Sequence, residues 1–163
     1  MRALFDEWLK LAEHIGVMCV ADKRVIAGAE SCTGGLIAAV LTSVTGSSAW
    51  VDRGFVTYSN EAKREMLGVA SATLDTFGAV SEETAREMAA GALKNSRATM
   101  AYSVTGVAGP TGGSATKPVG MVCFGFATAR HVSAVTKYFQ GDRSAVREQS
   151  VNFVLSELSR ATI

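Results

Sequence analysis

The sequence predicts an α/β fold: a single-domain, three-layer α/β/α sandwich whose sheet is mixed, mostly parallel, and carries an antiparallel hairpin. Three observations predict it. Short runs rich in β-branched, small or aromatic residues alternate with segments of helical period through the first two thirds of the chain. Two later runs, Gly120 to Thr128 and Val132 to Phe139, are joined only by Ala129-Arg130-His131, a hairpin turn. A helical period then returns, so helices are available for both faces of the sheet. With 163 residues, 48% hydrophobic and 19% charged, the chain is globular in composition and long enough for one sizeable core. One domain over residues 1–163 is expected.

Each element has its own signal. Leu4, Trp8, Leu11, Ile15 and Met18 recur at spacings of four and three, giving an amphipathic helix over about residues 3–20. A strand follows the Asp22-Lys23-Arg24 turn and runs into Glu30-Ser31-Cys32-Thr33-Gly34-Gly35. The next helix places Leu36, Ile37, Val40, Leu41 and Val44 on one face and is expected to stop near Gly46. Trp50 to Tyr58 reads as a strand. Ser59 or Asn60 caps a short helix closed by Gly68, and a second short helix or turn ends near Gly78. Ser81 caps a longer helix, with Glu82 and Glu83 in its first turn and Ala85, Met88, Ala89, Ala92 and Leu93 inward. Thr99 to Val104 is a strand leading into a glycine-rich loop that reaches Gly120. After the hairpin, Gly141-Asp142 starts a last helix facing inward with Val146, Ser150, Phe153, Val154 and Leu158.

Composition excludes several function classes. The formal net charge is +1 with no basic stripe, so nucleic acid is not an expected partner. No apolar run approaches the roughly 18 residues of a membrane span, and acids at Asp6 and Glu7 come too early for a signal peptide. Cys19, Cys32 and Cys123 form no C-x-x-C pattern and read as reduced thiols of a cytoplasmic protein. His14 and His131 have no acidic cluster or second histidine at ligand spacing, so no metal site and no cofactor are expected.

The chain is organised around Val25 to Gly35. A strand that ends in an acid, a serine, a threonine and paired glycines before a helix places Ser31 in a tight turn. Backbone N–H groups at a helix start lack intrahelical partners, and Gly34 and Gly35 let a ligand approach closely. The same residues also suit a plain reading in which Ser31 or Thr33 is an N-cap. Cys32 reads as a small buried residue packing under the turn. The loop from Thr105 to Gly120 lacks both the P-loop pattern and the strand–glycine–helix order of a dinucleotide site. What it offers a sugar phosphate is backbone N–H groups and the hydroxyls of Thr105, Thr111 and Ser114, unless it is only a flexible hairpin connection. With neither histidine placed for a triad, Lys63 is the available base. In the first turn of its helix the dipole disfavours a cation and lowers the lysine pKa. On its own the position reads sooner as a solvated surface lysine beside Arg64. Tyr58, at the preceding strand end, lies within range to orient or relay a proton.

Several blocks together resemble the CinA C-terminal domain family, in its stand-alone form. They are Ala29 to Gly35, Gly46-Ser47-Ser48, Gly54 to Lys63, Gly78 to Ser81, Thr105 to Gly113, Lys117 to Gly120 and Gly141-Asp142-Arg143. The resemblance covers about residues 5–158. It implies hydrolysis of the nicotinamide amide of nicotinamide mononucleotide (NMN) to nicotinate mononucleotide and ammonia, in pyridine nucleotide recycling. It also implies Ser31 as nucleophile with Lys63 and Tyr58 as catalytic partners. Thr33, Gly34, Ser48, Thr105 and Gly106 become substrate contacts, and the assembly a homodimer. Amide hydrolysis needs a nucleophile, a base and oxyanion donors; the N–H groups from Thr33 to Gly35 are candidates for the last. Glu30 is open to a structural role, accepting backbone N–H bonds to hold the turn. The alternative is a module of the same family that binds a pyridine nucleotide without reacting.

Overall fold

The computed structural model of the chain describes residues 2–160; residue 1 and residues 161–163 of the expected 1–163 domain lie outside the described residues. Five strands, β1 (Ile26–Glu30), β2 (Val51–Val56), β3 (Met100–Gly106), β4 (Met121–Thr128) and β5 (Val132–Tyr138), form one sheet in the order β2-β1-β3-β4-β5. β1 pairs in parallel with both β2 and β3, and β4 is antiparallel to both its neighbours. Four strands therefore point one way and β4 opposes them, the mixed sheet with a hairpin that the sequence predicts.

Helices α1 (Arg2–Asp22), α2 (Leu36–Thr42) and α6 (Arg143–Leu158) cover one face, and α3 (Asn60–Leu67), α4 (Ser71–Phe77) and α5 (Glu82–Lys94) the other. The period-2 alternation of strands explains the division. Ile26, Tyr102, Val104, Val122 and Phe124 join Trp8, Ile15, Val40 and Val154 in one core, while Ala27, Ala29 and Ala101 meet Leu67, Met88 and Ala92 in the other. Burying a side chain the size of Ile15 or Met88 contributes about 1.5–3 kcal/mol. Small residues bring α5 close to the sheet: Ser103 Oγ donates to the Ala85 carbonyl at 2.6 Å, and a Cβ on Gly125 would lie 2.2 Å from that same oxygen.

β3 runs from Met100 on to Gly106, taking Thr105 and Gly106 out of the expected loop, and two other boundaries also differ from expectation. α2 ends at Thr42 rather than near Gly46, because the Thr42 and Ser43 hydroxyls turn back onto the carbonyls of Ala38 and Ala39, both at 2.7 Å. Gly46, at φ 82°, instead opens a single 3₁₀ turn, Ser47–Ala49. β2 stops at Val56, two residues before Tyr58.

The connections place the site. After β1 the chain passes through α2 to β2 on one side, then returns over β1 to β3 on the other. Strand order reverses there, and the crevice beyond the carboxyl ends of β1 and β3 is where open α/β sheets bind ligands. Ser31 directly follows β1, and Thr105 and Gly106 end β3.

Candidate active site

Ser31 is pinned by the sheet on both sides. Its own N–H donates to Val104 O at 2.9 Å, and the preceding Glu30 carbonyl accepts Thr57 N–H at 2.8 Å. The Glu30 side chain, 2% exposed, turns under the loop and faces five donors. Oε2 accepts from Thr33 Oγ at 2.6 Å, Gly35 N at 3.0 Å and Ile37 N at 3.3 Å, while Oε1 accepts from Ala38 N at 2.8 Å and Tyr102 Oη at 3.0 Å. Glu30, not Ser31 or Thr33, caps α2, and its structural reading holds.

Lys63 approaches from the opposite face. Ser59 caps α3 by accepting Ala62 N–H at 3.0 Å, which starts the helix so that Lys63 points inward. The side chain is 1% exposed, which disposes of the surface-lysine reading. Its Nζ lies 3.2 Å from Ser31 Oγ and donates to Thr57 O at 2.8 Å. Burial pulls the Lys63 pKa down from its ordinary 10.5. With one N–H fixed on the Thr57 carbonyl, a neutral amine can turn its lone pair toward the serine hydroxyl. Burial has the reverse effect on the neighbouring thiol: Cys32, 5% exposed, is pushed up to about 11 and packs as a neutral side chain.

Around this pair is a cavity of about 210 Å³, lined by Ser31, Cys32, Tyr58, Asn60, Lys63, Ala79, Val80, Thr105, Gly106, Ala108 and Arg143. Tyr58 stands at its mouth, and its hydroxyl accepts from Arg143 Nη2 at 3.1 Å rather than meeting Ser31 or Lys63. Arg143 Nη1 donates to Gly109 O at 3.0 Å, so one guanidinium spans the opening between Tyr58 and the glycine-rich loop. Among the described residues no carboxylate pairs with it. Thr105 is buried and its hydroxyl donates to Ala79 O at 2.9 Å. Gly106 is needed for β3 to pass β4, since a Cβ there would lie 2.7 Å from Val122 Cγ2.

Of the residues singled out from the sequence, the structure gathers Ser31, Lys63, Tyr58, Thr105 and Gly106 around one cavity. It does not gather the rest. Ser48 sits in the 3₁₀ turn beside the start of β1, roughly 15 Å of strand away from Ser31. Thr33 is fully buried beneath the turn, with its hydroxyl given to Glu30. Gly34 is exposed at φ 61° outside the cavity lining. Thr111 and Ser114 are exposed, and Ser114 closes a turn with Lys117 within the loop. Gly34 N–H donates to Ser31 O and Gly35 N–H to Glu30, leaving those of Cys32 and Thr33 outside the turn's own bonds. Arg143 and the Thr57 carbonyl are the contributors that residue-level reading missed. Arg143 is foreshadowed by Asp142 capping its helix and by the Gly141-Asp142-Arg143 block of the resemblance; a backbone carbonyl leaves no mark in a sequence. Among the described residues, no cluster of His, Cys, Asp or Glu is placed to hold a metal ion.

A buried lysine within hydrogen-bond reach of a serine, at the switch point of a three-layer α/β/α sheet, is the kind of arrangement in which a base activates a nucleophile. The chain belongs to the CinA C-terminal domain family, whose model matches residues 9–162. It is 52% identical over 154 residues to the nicotinamide-nucleotide amidohydrolase PncC of Escherichia coli K12, covering 94% of this chain and 93% of that one. It is 53% identical over 145 residues to a CinA-like protein of Chloroherpeton thalassium, of which it spans 34%. The crystal structure of the competence/damage inducible protein CihA from Agrobacterium tumefaciens superposes with a TM-score of 0.89 at 50% identity, covering 93% of each chain.

Proposed function

We propose that the chain hydrolyses the amide of NMN, with Ser31 as nucleophile and Lys63 as its base. The observation that carries the reading is Lys63 Nζ, 1% exposed and 3.2 Å from Ser31 Oγ. That a nicotinamide nucleotide is the substrate rests on relatives named for that activity, 52% identical over nearly their full length. The reading takes residues 1–163 as one amidohydrolase domain.

Ser31 Oγ attacks the carboxamide carbon as its proton passes to neutral Lys63. The N–H of Cys32, which lines the cavity and stands outside the turn's own bonds, takes the oxyanion. The ammonium of Lys63, braced by the Thr57 carbonyl, returns a proton to the departing nitrogen, and ammonia leaves. Water, deprotonated by the again-neutral lysine, attacks the nicotinoyl ester and frees Ser31. The nicotinamide end occupies the cavity, and the 5′-phosphate lies toward Arg143 at the mouth. Phosphate at the start of α2 is disfavoured, because the Glu30 carboxylate already fills that position. The reaction uses no cofactor.

The test is ammonia release from NMN by the purified chain, with one nicotinate mononucleotide formed per ammonia. Turnover that vanishes in Ser31→Ala is expected. NMN binding without ammonia would overturn the enzyme reading in favour of a binding module. The same reading has the protein acting in the cytoplasm as a homodimer, checked by light scattering in solution; among the described residues no helix is long and apolar enough to cross a membrane.

A further inference from the structure

Strand β1 contains Gly28 where a β-branched residue would suit a buried strand better. The reason lies on β3. Gly28 pairs with Tyr102, and a Cβ on Gly28 would lie 2.2 Å from Tyr102 Cζ and 2.3 Å from its hydroxyl oxygen. The phenol crosses the bare glycine to reach Glu30 Oε1, two residues along on the same face of the sheet. Tyr102 is 1% exposed, and burial first, then the Glu30 charge, raise its pKa well above the usual range, so it keeps its proton and donates. Glu30 thus collects one donor from β3, one from the turn at Thr33, and three backbone N–H groups from Gly35, Ile37 and Ala38.

These five bonds do more than cap a helix. α2 has only seven residues and no side chain cap from its own N-cap position, Gly35. Ile37, Val40 and Leu41 hold its apolar face in the core, and Glu30 holds its first turn against the end of β1. Ser31 is covalently next to Glu30, and the turn from Ser31 to Gly35 is spanned by that one side chain. We propose that Glu30 is a positioning residue for the reaction: with Tyr102, Thr33 and Gly28 it fixes the Ser31 turn in its attacking geometry, and so sets kcat without touching substrate. The inference rests on the proposed role of Ser31. A misplacement of about 1 Å at a reacting atom costs on the order of 100-fold in rate. Glutamine at position 30 would bring an amide NH₂ against donors that need an acceptor. Aspartate would keep the charge but fall one methylene short of α2.

The test compares Glu30→Gln, Glu30→Asp and Tyr102→Phe in the full chain. Measurements are kcat and KM for NMN, and amide hydrogen exchange at Gly35, Ile37 and Ala38. Glu30→Gln is expected to lose on the order of 100-fold in kcat with KM changed less than about threefold. Glu30→Asp should fail to restore kcat, and Tyr102→Phe should lose a few-fold, with faster exchange at all three amides. Wild-type kcat in Glu30→Gln, full rescue by aspartate, or a loss confined to KM would overturn the proposal. If Glu30→Gln does not fold, Tyr102→Phe decides: it keeps the carboxylate and four of its donors, so unchanged kcat and exchange overturn it. Wild-type protein inert toward NMN would instead sink the proposed function. The exchange comparison would still decide whether Glu30 holds the turn.

Discussion

Beneath the Ser31 turn, Glu30, Thr33 and Tyr102 are all buried and their polar atoms are bonded to one another. At its mouth Tyr58 is 63% exposed, Arg143 is exposed, and the two share one bond of 3.1 Å. The floor is made of short bonds between groups that have no access to water, so each broken bond leaves an unsatisfied partner costing about 1–3 kcal/mol. The mouth is made of groups that exchange a protein partner for water at little cost. Ser31 and Lys63 lie at the boundary, fixed from below and reachable from above. Fixed geometry is thus concentrated where a bond must be made, and adaptability where a ligand must enter.

The contrast breaks most completely at the nucleophile. Ser31→Ala removes one oxygen atom and no floor bond to Glu30, so the protein should fold as before while ammonia release falls by at least about 10⁴-fold. Far-UV circular dichroism alongside the assay checks both halves. Next in size is the mouth. Arg143→Ala, or removing the 5′-phosphate from the substrate, takes away one charge-assisted contact worth about 1.5–3 kcal/mol. KM should rise on the order of 10- to 100-fold while kcat changes little, and a nucleoside processed as well as NMN would move the phosphate elsewhere.

Lys63 sharpens the comparison through stability. Its folded pKa lies below the ordinary 10.5. Between that depressed value and 10.5 the unfolded chain holds a proton that the folded chain lacks, so stability rises with pH through this window; the full penalty applies below it. Lys63→Met should therefore be inactive yet more stable at neutral pH, by about 1–2 kcal/mol in thermal or urea unfolding. A less stable variant would mean that burial is not the dominant influence on this lysine. Smallest is Tyr58→Phe. It deletes one exposed hydrogen bond to Arg143 and should alter kcat/KM by no more than a few-fold. A loss of orders of magnitude would restore the proton-relay role that its spacing from Lys63 suggests.

The sheet, both helical layers and the position of Ser31 were legible in the sequence because each rests on local pattern: period, caps and turn residues. α2 was read too long because Thr42 and Ser43 hydroxyls compete for its last carbonyls, an effect that apolar period does not register. Lys63 was ambiguous for a different reason. One strand–helix unit can place a lysine inward or outward, and only the packing of α3 beside α5 on that face of the sheet buries it. The floor was half legible. Glu30 was open to the role it has, but its partner Tyr102 is 72 residues away, and only the parallel register of β1 with β3 brings them together. The reach of Arg143 to the mouth likewise depends on where α6 docks, which no local signal encodes.

The central claim, that Lys63 accepts the proton of Ser31, is tested most directly by Lys63→Arg and by the pH profile of the unaltered protein. Arginine keeps the positive charge but stays protonated, so it cannot act as the base. Lys63→Arg is expected to lose at least about 10³-fold in kcat, and adding Ser31→Ala to make the double variant little worse, as for residues acting as one unit. Wild-type kcat/KM should rise with pH through the depressed lysine pKa and then level. Near-normal kcat in Lys63→Arg, or activity that falls as pH rises through that range, would contradict it.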